Sequence, residues 1–183
     1  MQSTFLSRLV RFLDGVSEWT GKAISWLTLL MVVLTFVIVV MRYILNVGNI
    51  ALQESVIYMH SFLFLLGAAY TLKHDGHVRV DIFYRPMSER GKAIVNIIGI
   101  LGLLLPVTLF IGYISWEYVA TSWSLMEGSQ EAGGLPYRYI LKSGLIAMPV
   151  LVTLQGIAEL ARCVLVLTGQ GHLLEEDVTE HTV

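Results

Sequence analysis

Residues 23–41, AISWLTLLMVVLTFVIVVM, run 19 positions without a charged side chain and are rich in Leu, Val and Ile. A helix needs about 20 mostly apolar residues to cross about 30 Å of hydrocarbon, so this stretch is long enough to span a bilayer. Three more stretches meet the same test. Residues 55–72, between Glu54 and Lys73, give 18 uncharged positions, and residues 93–116, between Lys92 and Glu117, give 24. The fourth starts after Lys142, stays uncharged to Ala158 and continues apolar to Leu167, with Glu159 and Arg162 inside it. Three residues apart on a helix, those two share a face and can pair or sit at the interface. Strands of a membrane barrel would alternate over about 10 residues. These runs are continuous and carry Leu, Met and Ala throughout, so they read as helices.

Composition agrees with an all-α membrane protein. Of 183 residues, 55% are apolar or aromatic and only 14% charged, with a mean hydropathy of +0.69; soluble domains run nearer a quarter charged. Twelve Lys and Arg against 14 Asp and Glu leave no electrostatic reason to expect nucleic acid. The single cysteine, Cys163, excludes an intrachain disulfide and a cysteine-built metal cage. The 22 residues before the first run are too long and mixed for a signal-peptide n-region, and no small-residue cleavage site closes it, so this run is expected to stay as an anchor.

Cationic loops resist translocation. Arg8, Arg11, Lys22, Lys73, Arg79, Arg85, Arg90 and Lys92 fall on one side; Arg42, Arg138 and Lys142 fall on the other. Both termini are therefore expected in the cytoplasm. Residues 1–168 read as one membrane domain with spans near 23–45, 52–72, 92–118 and 140–167, followed by an acidic tail, 169–183, expected to be disordered. Phe5, Leu9, Phe12, Leu13, Val16 and Trp19 recur at helical spacing, which predicts an amphipathic helix over about 4–20 lying in the interface plane or packing on a partner. Pro86 is placed to open another helix leading into the third span. His77, Arg79 and Asp81 alternate with Val78 and Val80, as in a short extended stretch or turn with polar groups on one side. The glycine-rich connection 121–141 is expected to form the main structured loop on the far side.

Few polar groups enter the spans. Gln53, His60 and Gly67 recur every seven residues, with Glu54, Ser61 and Ala68 beside them, a polar and small stripe suited to close helix contact. His60 is expected to donate one hydrogen bond to a neighbouring helix. Glu54 either sits among headgroups or pairs with Arg42 across the short first loop. Asn96, Gly99, Gly102 and Pro106, and likewise Gly144, Met148 and Pro149, follow helix faces that invite contact with other helices. No second histidine at matching depth is available to hold a haem with His60. No nucleophile triad, phosphate loop or HExxH motif is present, so no enzyme is expected. The pair of broken spans that marks a self-contained transporter is also missing.

Arg42-Tyr43 closing the first span, LQE ending in Glu54, GAAYTL from Gly67, HVRVDIFY from His77, EGSQEAGGLPYRYILKSG from Glu127 and LQG at 154–156 stand in an order and spacing that covers residues 22–168. Together they resemble the DctQ-like small membrane subunit of tripartite ATP-independent periplasmic (TRAP) transporters, in the branch often labelled mannitol or chloroaromatic. One departure is Gln53, where many members carry a second acidic residue. The resemblance implies an inner-membrane importer in which a soluble periplasmic protein captures an organic acid, a carboxylate or sulfonate. A large membrane subunit moves it with a sodium gradient, and the small subunit braces the large one. It implies no cofactor in this chain, sodium on the large subunit, and phospholipid around both. Residues expected at the large-subunit interface are Arg42, Glu54, His60, Gly67, His77, Arg79 and Asp81. Those expected to help dock the binding protein are Glu127, Glu131, Tyr137 and Arg138. The competing reading is a small proton-coupled carrier that uses Glu54 deep in a cavity.

Overall fold

The structure, a computed structural model, describes residues 2–78 and 81–170. All regular structure among them is helical: α1 (Gln2–Tyr43), α2 (Ile50–Lys73), α3 (Asp81–Tyr84), α4 (Glu89–Gly99), a π-helical turn (Ile100–Leu104), α5 (Leu105–Ser124) and α6 (Arg138–Leu167). Four stretches are long and apolar enough to cross a membrane: Phe5–Tyr43, Ile50–Lys73, Glu89–Ser124 and Arg138–Leu167. The expectation of disorder in the acidic tail falls, from residue 171 on, outside the described residues.

The expected 4–20 helix and the first span are a single helix. Lys22, where a break would fall, is neutralised one turn back by Glu18 at 3.1 Å. Gly21 continues the helix and lets α2 approach, because a Cβ there would run into the Tyr70 ring. At 1.5 Å per residue, 42 residues extend about 63 Å, well beyond the hydrocarbon thickness. Ser7, Val10, Leu13, Ser17 and Gly21 form the buried stripe of the first half, while Phe5, Phe12 and Trp19 face outward.

The turns follow local chemistry. Asn46 and Asp75 take left-handed φ of 54° and 56°, which these two side chains tolerate. Asn49 caps α2 by accepting from Leu52 N at 3.0 Å. The third span opens later than Pro86: Ser88 accepts from Gly91 N at 3.2 Å and is the cap, with Glu89 first in the helix. Residues 81–84 are a helical turn, so the segment expected from His77 to Asp81 as an extended stretch or turn runs into a helix at its last residue, while residues 79–80 within it lie outside the described residues. The π turn lies just upstream of Pro106, which has no N–H and whose ring crowds the carbonyl four residues back. At the end of α5, Glu127 N bonds Ser122 O at 3.0 Å with Met126 at φ 45°, a left-handed stop of the kind glycine usually makes.

α6 is the hub and packs against α1, α2, α4, the π turn and α5. Its small residues allow this. A Cβ on Gly144 would lie 2.8 Å from Leu65 of α2, and one on Gly156 would lie 2.6 Å from Leu104 of the π turn. Gly112 of α5 meets Pro149, and Thr108 shares a 2.8 Å hydrogen bond with Thr153. Gly99 and Gly102, by contrast, have open space around them.

Candidate functional site

Polar side chains gather at the two ends of the bundle. At the tail end, where the first half of α1 meets the second half of α6, Arg162 bridges Asp14 at 2.6 Å and Glu159 at 2.7 Å. Gln155, fully buried, donates to Asp14 Oδ1 at 3.0 Å and accepts from the buried Ser17 hydroxyl at 2.7 Å. Beside this cluster Glu18 of α1 collects Lys73 at 2.5 Å and His74 at 2.9 Å from α2. The Glu159–Arg162 pair was readable from its three-residue spacing. Asp14 and Gln155 were not, because their partners lie across the fold and no local pattern links them.

At the loop end, residues 125–137 fold over α2 and α6. Glu54 accepts from the Ser129 hydroxyl and from Leu135 N at 2.6 Å. Gly134 makes room for that carboxylate, since a Cβ there would meet Ser129 and stand 2.7 Å from Glu54 Oε2. The Glu54–Arg42 pair, one of the two arrangements expected for Glu54, does not form: the long loop delivers two donors to Glu54, while Arg42 lies exposed beside Met41, Val47 and Gln53. Glu127 accepts from Lys142 Nζ and from Ser122 Oγ at 2.7 Å, with Arg138 Nε 4.0 Å away. These partners, the Lys142 ammonium first and the Ser122 hydroxyl next, hold its carboxyl below the ordinary carboxylate range. Lys142 also sits 3.9 Å above the Tyr118 ring. Trp123 donates to Ser143 at 2.8 Å and meets Tyr139 edge-on. Turned outward from the loop are Leu125, Met126, Gln130, Glu131 and Tyr137.

The residues expected at a partner interface are not brought together. Glu54 faces the loop. Gly67 faces Ile24 of α1, where a Cβ would lie 3.6 Å from Ile24 Cδ1, in ordinary van der Waals contact. His77 is exposed in the α2–α3 connection, Asp81 begins α3, and Arg79 lies outside the described residues. His60 is exposed on α2, its ring stacked on Phe64 with centroids 6.4 Å apart, and no neighbouring helix takes its hydrogen bond among the described residues. No group of three or more His, Cys, Asp or Glu stands together to hold a metal among the described residues. A cavity of about 740 Å³ opens between α2, α4, the π turn and α6, with Tyr84, Asn96 and Glu159 at its polar part and Leu103, Leu104 and Val107 at its apolar part.

Comparison with known proteins matches this architecture to one family. Residues 31–166 fit the profile described as tripartite ATP-independent periplasmic transporters, DctQ component. That region holds all of α2 to α5 and nearly all of α6. The chain is similar, at 28% identity over 119 residues, to the C4-dicarboxylate TRAP transporter small permease protein DctQ of Vibrio cholerae serotype O1 (strain ATCC 39315 / El Tor Inaba N16961). The match covers 64% of this chain and 49% of that relative, so the chain spans about half the length of the curated relative it matches. No solved structure matches. Four apolar helices and a profile match over most of the sequence agree: the chain is a multi-pass inner-membrane protein and belongs to the DctQ component family of the tripartite ATP-independent periplasmic transporters.

Proposed function

We propose that the chain is the bracing small subunit of a TRAP importer, holding a larger membrane subunit that carries out transport. The profile match over residues 31–166 carries this reading. The distribution of polar groups supports it. Glu159 and Arg162 are spent on each other and on Asp14, and Glu54 is spent on the loop, so little is left inside the bundle to select and move a substrate. The substrate and sodium sites then belong to the large subunit, and the cargo is an organic acid, a carboxylate or sulfonate, delivered by a soluble periplasmic binding protein. With the termini in the cytoplasm, the loop end faces the periplasm. It offers Glu131 and Tyr137 outward beside Arg138 for transient, salt-sensitive docking, while Glu127 keeps the loop in shape. A carrier working through Glu54 would need that carboxylate deep in a cavity; it is the fifth residue of α2 and is covered by a loop.

Co-expression with the large subunit tests the reading. A stable one-to-one complex, with uptake in liposomes that needs both subunits and the binding protein, is the expected result. Uptake by this chain alone overturns it. Cysteine at Glu131 is expected to label from the periplasm and cysteine at Glu89 from the cytoplasm. Glu131→Lys is expected to slow uptake at limiting binding protein while leaving the membrane complex intact; an unchanged dependence on binding protein removes the loop from docking.

A further inference from the structure

The outward faces of the spans are chemically unlike one another. On α1 the exposed side chains through the hydrocarbon stretch include Trp26, Leu29, Leu30, Val33 and Phe36. Acyl chains cover such surfaces without loss. α2 differs. Its face toward α1 holds Gly67 and Tyr70, and its face toward α6 holds Phe62 and Leu65. The remaining side, read at steps of three, four and seven residues, presents Ile57, His60, Ser61, Phe64 and Ala68.

His60 lies about 15 Å along a helix about 36 Å long, near its middle. The hydroxyl at this depth satisfies itself: Ser61 Oγ donates to Ile57 O at 2.8 Å. An imidazole does not have that recourse. Its neutral form carries one N–H donor and one acceptor held out on a ring. The side chain is too short to snorkel to the interface as Lys or Arg would. Phe64 covers one ring face but offers no hydrogen-bonding partner. Left against lipid, those ring nitrogens bear the full cost of an unsatisfied polar group in hydrocarbon. A protein helix relieves that cost, and the small Ser61 and Ala68 on the same side let one come close.

We infer that the face of α2 centred on His60 is the seam where a transmembrane helix of the large subunit packs, presenting a hydroxyl, amide or carboxylate oxygen to the imidazole near mid-membrane. The inference rests on the bracing role proposed above and adds the location and chemistry of the contact. The exposed face of α1 is then left to phospholipid.

The test uses the co-expressed complex with a tagged large subunit and a photo-crosslinking amino acid at Ile57 or Phe64 of α2, or at Phe36 of α1. The two α2 positions are expected to join the two subunits and Phe36 to give background. The seam is overturned if Phe36 captures the large subunit while α2 captures lipid or a second copy of this chain, or if no position gives an adduct in a complex that still co-purifies. Failure of the wild-type chains to co-purify at all overturns the bracing role, and the seam with it. At equal membrane levels His60→Phe is expected to lower recovery of the complex by about threefold, the scale of one interhelical hydrogen bond, and His60→Gln to restore most of it. Full recovery with His60→Phe overturns the hydrogen bond.

Discussion

The two ends of this bundle use charge in opposite ways. At the tail end Asp14, Gln155, Glu159 and Arg162 are drawn in between α1 and α6, with 18–31% of each charged side chain left accessible and Gln155 with none. At the loop end Glu54 and Glu127 sit at helix mouths and hold a loop through backbone, hydroxyl and ammonium donors. The first joins two helices to each other. The second shapes a surface. Breaking the first should therefore destabilise the whole bundle, and breaking the second should loosen one segment.

The largest effect is expected from Arg162→Leu, which strands two sheltered carboxylates. A loss of about 3 kcal/mol, the lower part of the range for a broken buried pair because these groups keep some solvent, should appear in detergent unfolding curves. A loss no larger than that of Glu54→Gln would erase the contrast between the ends. Next comes Gly21→Ala. Alanine gains about 1 kcal/mol in helix propensity, but its methyl would overlap Cβ and Cγ of Tyr70, atoms fixed close to the α2 backbone. The two helices would have to separate, so we expect a net loss of about 1–2 kcal/mol from overpacking; a stabilised variant would show that α1 and α2 are not in close contact there.

Smaller and local is the expected effect of Glu54→Gln. The 125–137 loop loses its anchor on α2, so proteolysis within it should quicken several-fold while the global unfolding transition hardly moves. A shifted global transition with an unchanged loop would reverse the roles assigned here. The smallest effect is a pH dependence. Because Glu127 is held below its ordinary value of 4.5 in the folded protein, its contribution is complete above that value and fades as pH falls through the lower folded one. Loop proteolysis should rise on acidification below the ordinary carboxylate range, and Glu127→Gln should flatten that rise. A rise that is unaltered in the variant would assign it to other carboxylates.

Charge-free runs located all four spans, because hydrocarbon tolerates little else. Boundaries were harder: nothing in Lys22 itself announces that Glu18 one turn earlier neutralises it and lets α1 continue. Local spacing also disclosed the Glu159–Arg162 pair. It could not disclose Asp14, 148 positions from Arg162, and the one partner it could offer Glu54 was Arg42, near in sequence, whereas the actual donors come from a loop 75 and 81 positions away. Glu127 was legible as a loop residue but not as a brace, since that role depends on Lys142 and Ser122 both reaching its carboxylate.

The π turn at Ile100–Leu104 has a consequence for numbering faces. Such a turn holds one more residue than an α turn, so the helix emerges rotated by roughly one residue, about 100°, from where a regular helix would be. The row Asn96, Gly99, Gly102, Pro106 therefore is not one row in space: Asn96 and Gly99 border the cavity, while Gly112 further on turns to Pro149. Heptad or three-four counting carried across this point assigns the wrong face to everything on one side of it. Single-residue deletions within 100–104 would reset the register, and relatives that lack the extra residue would present a different edge of α4 from the same sequence pattern.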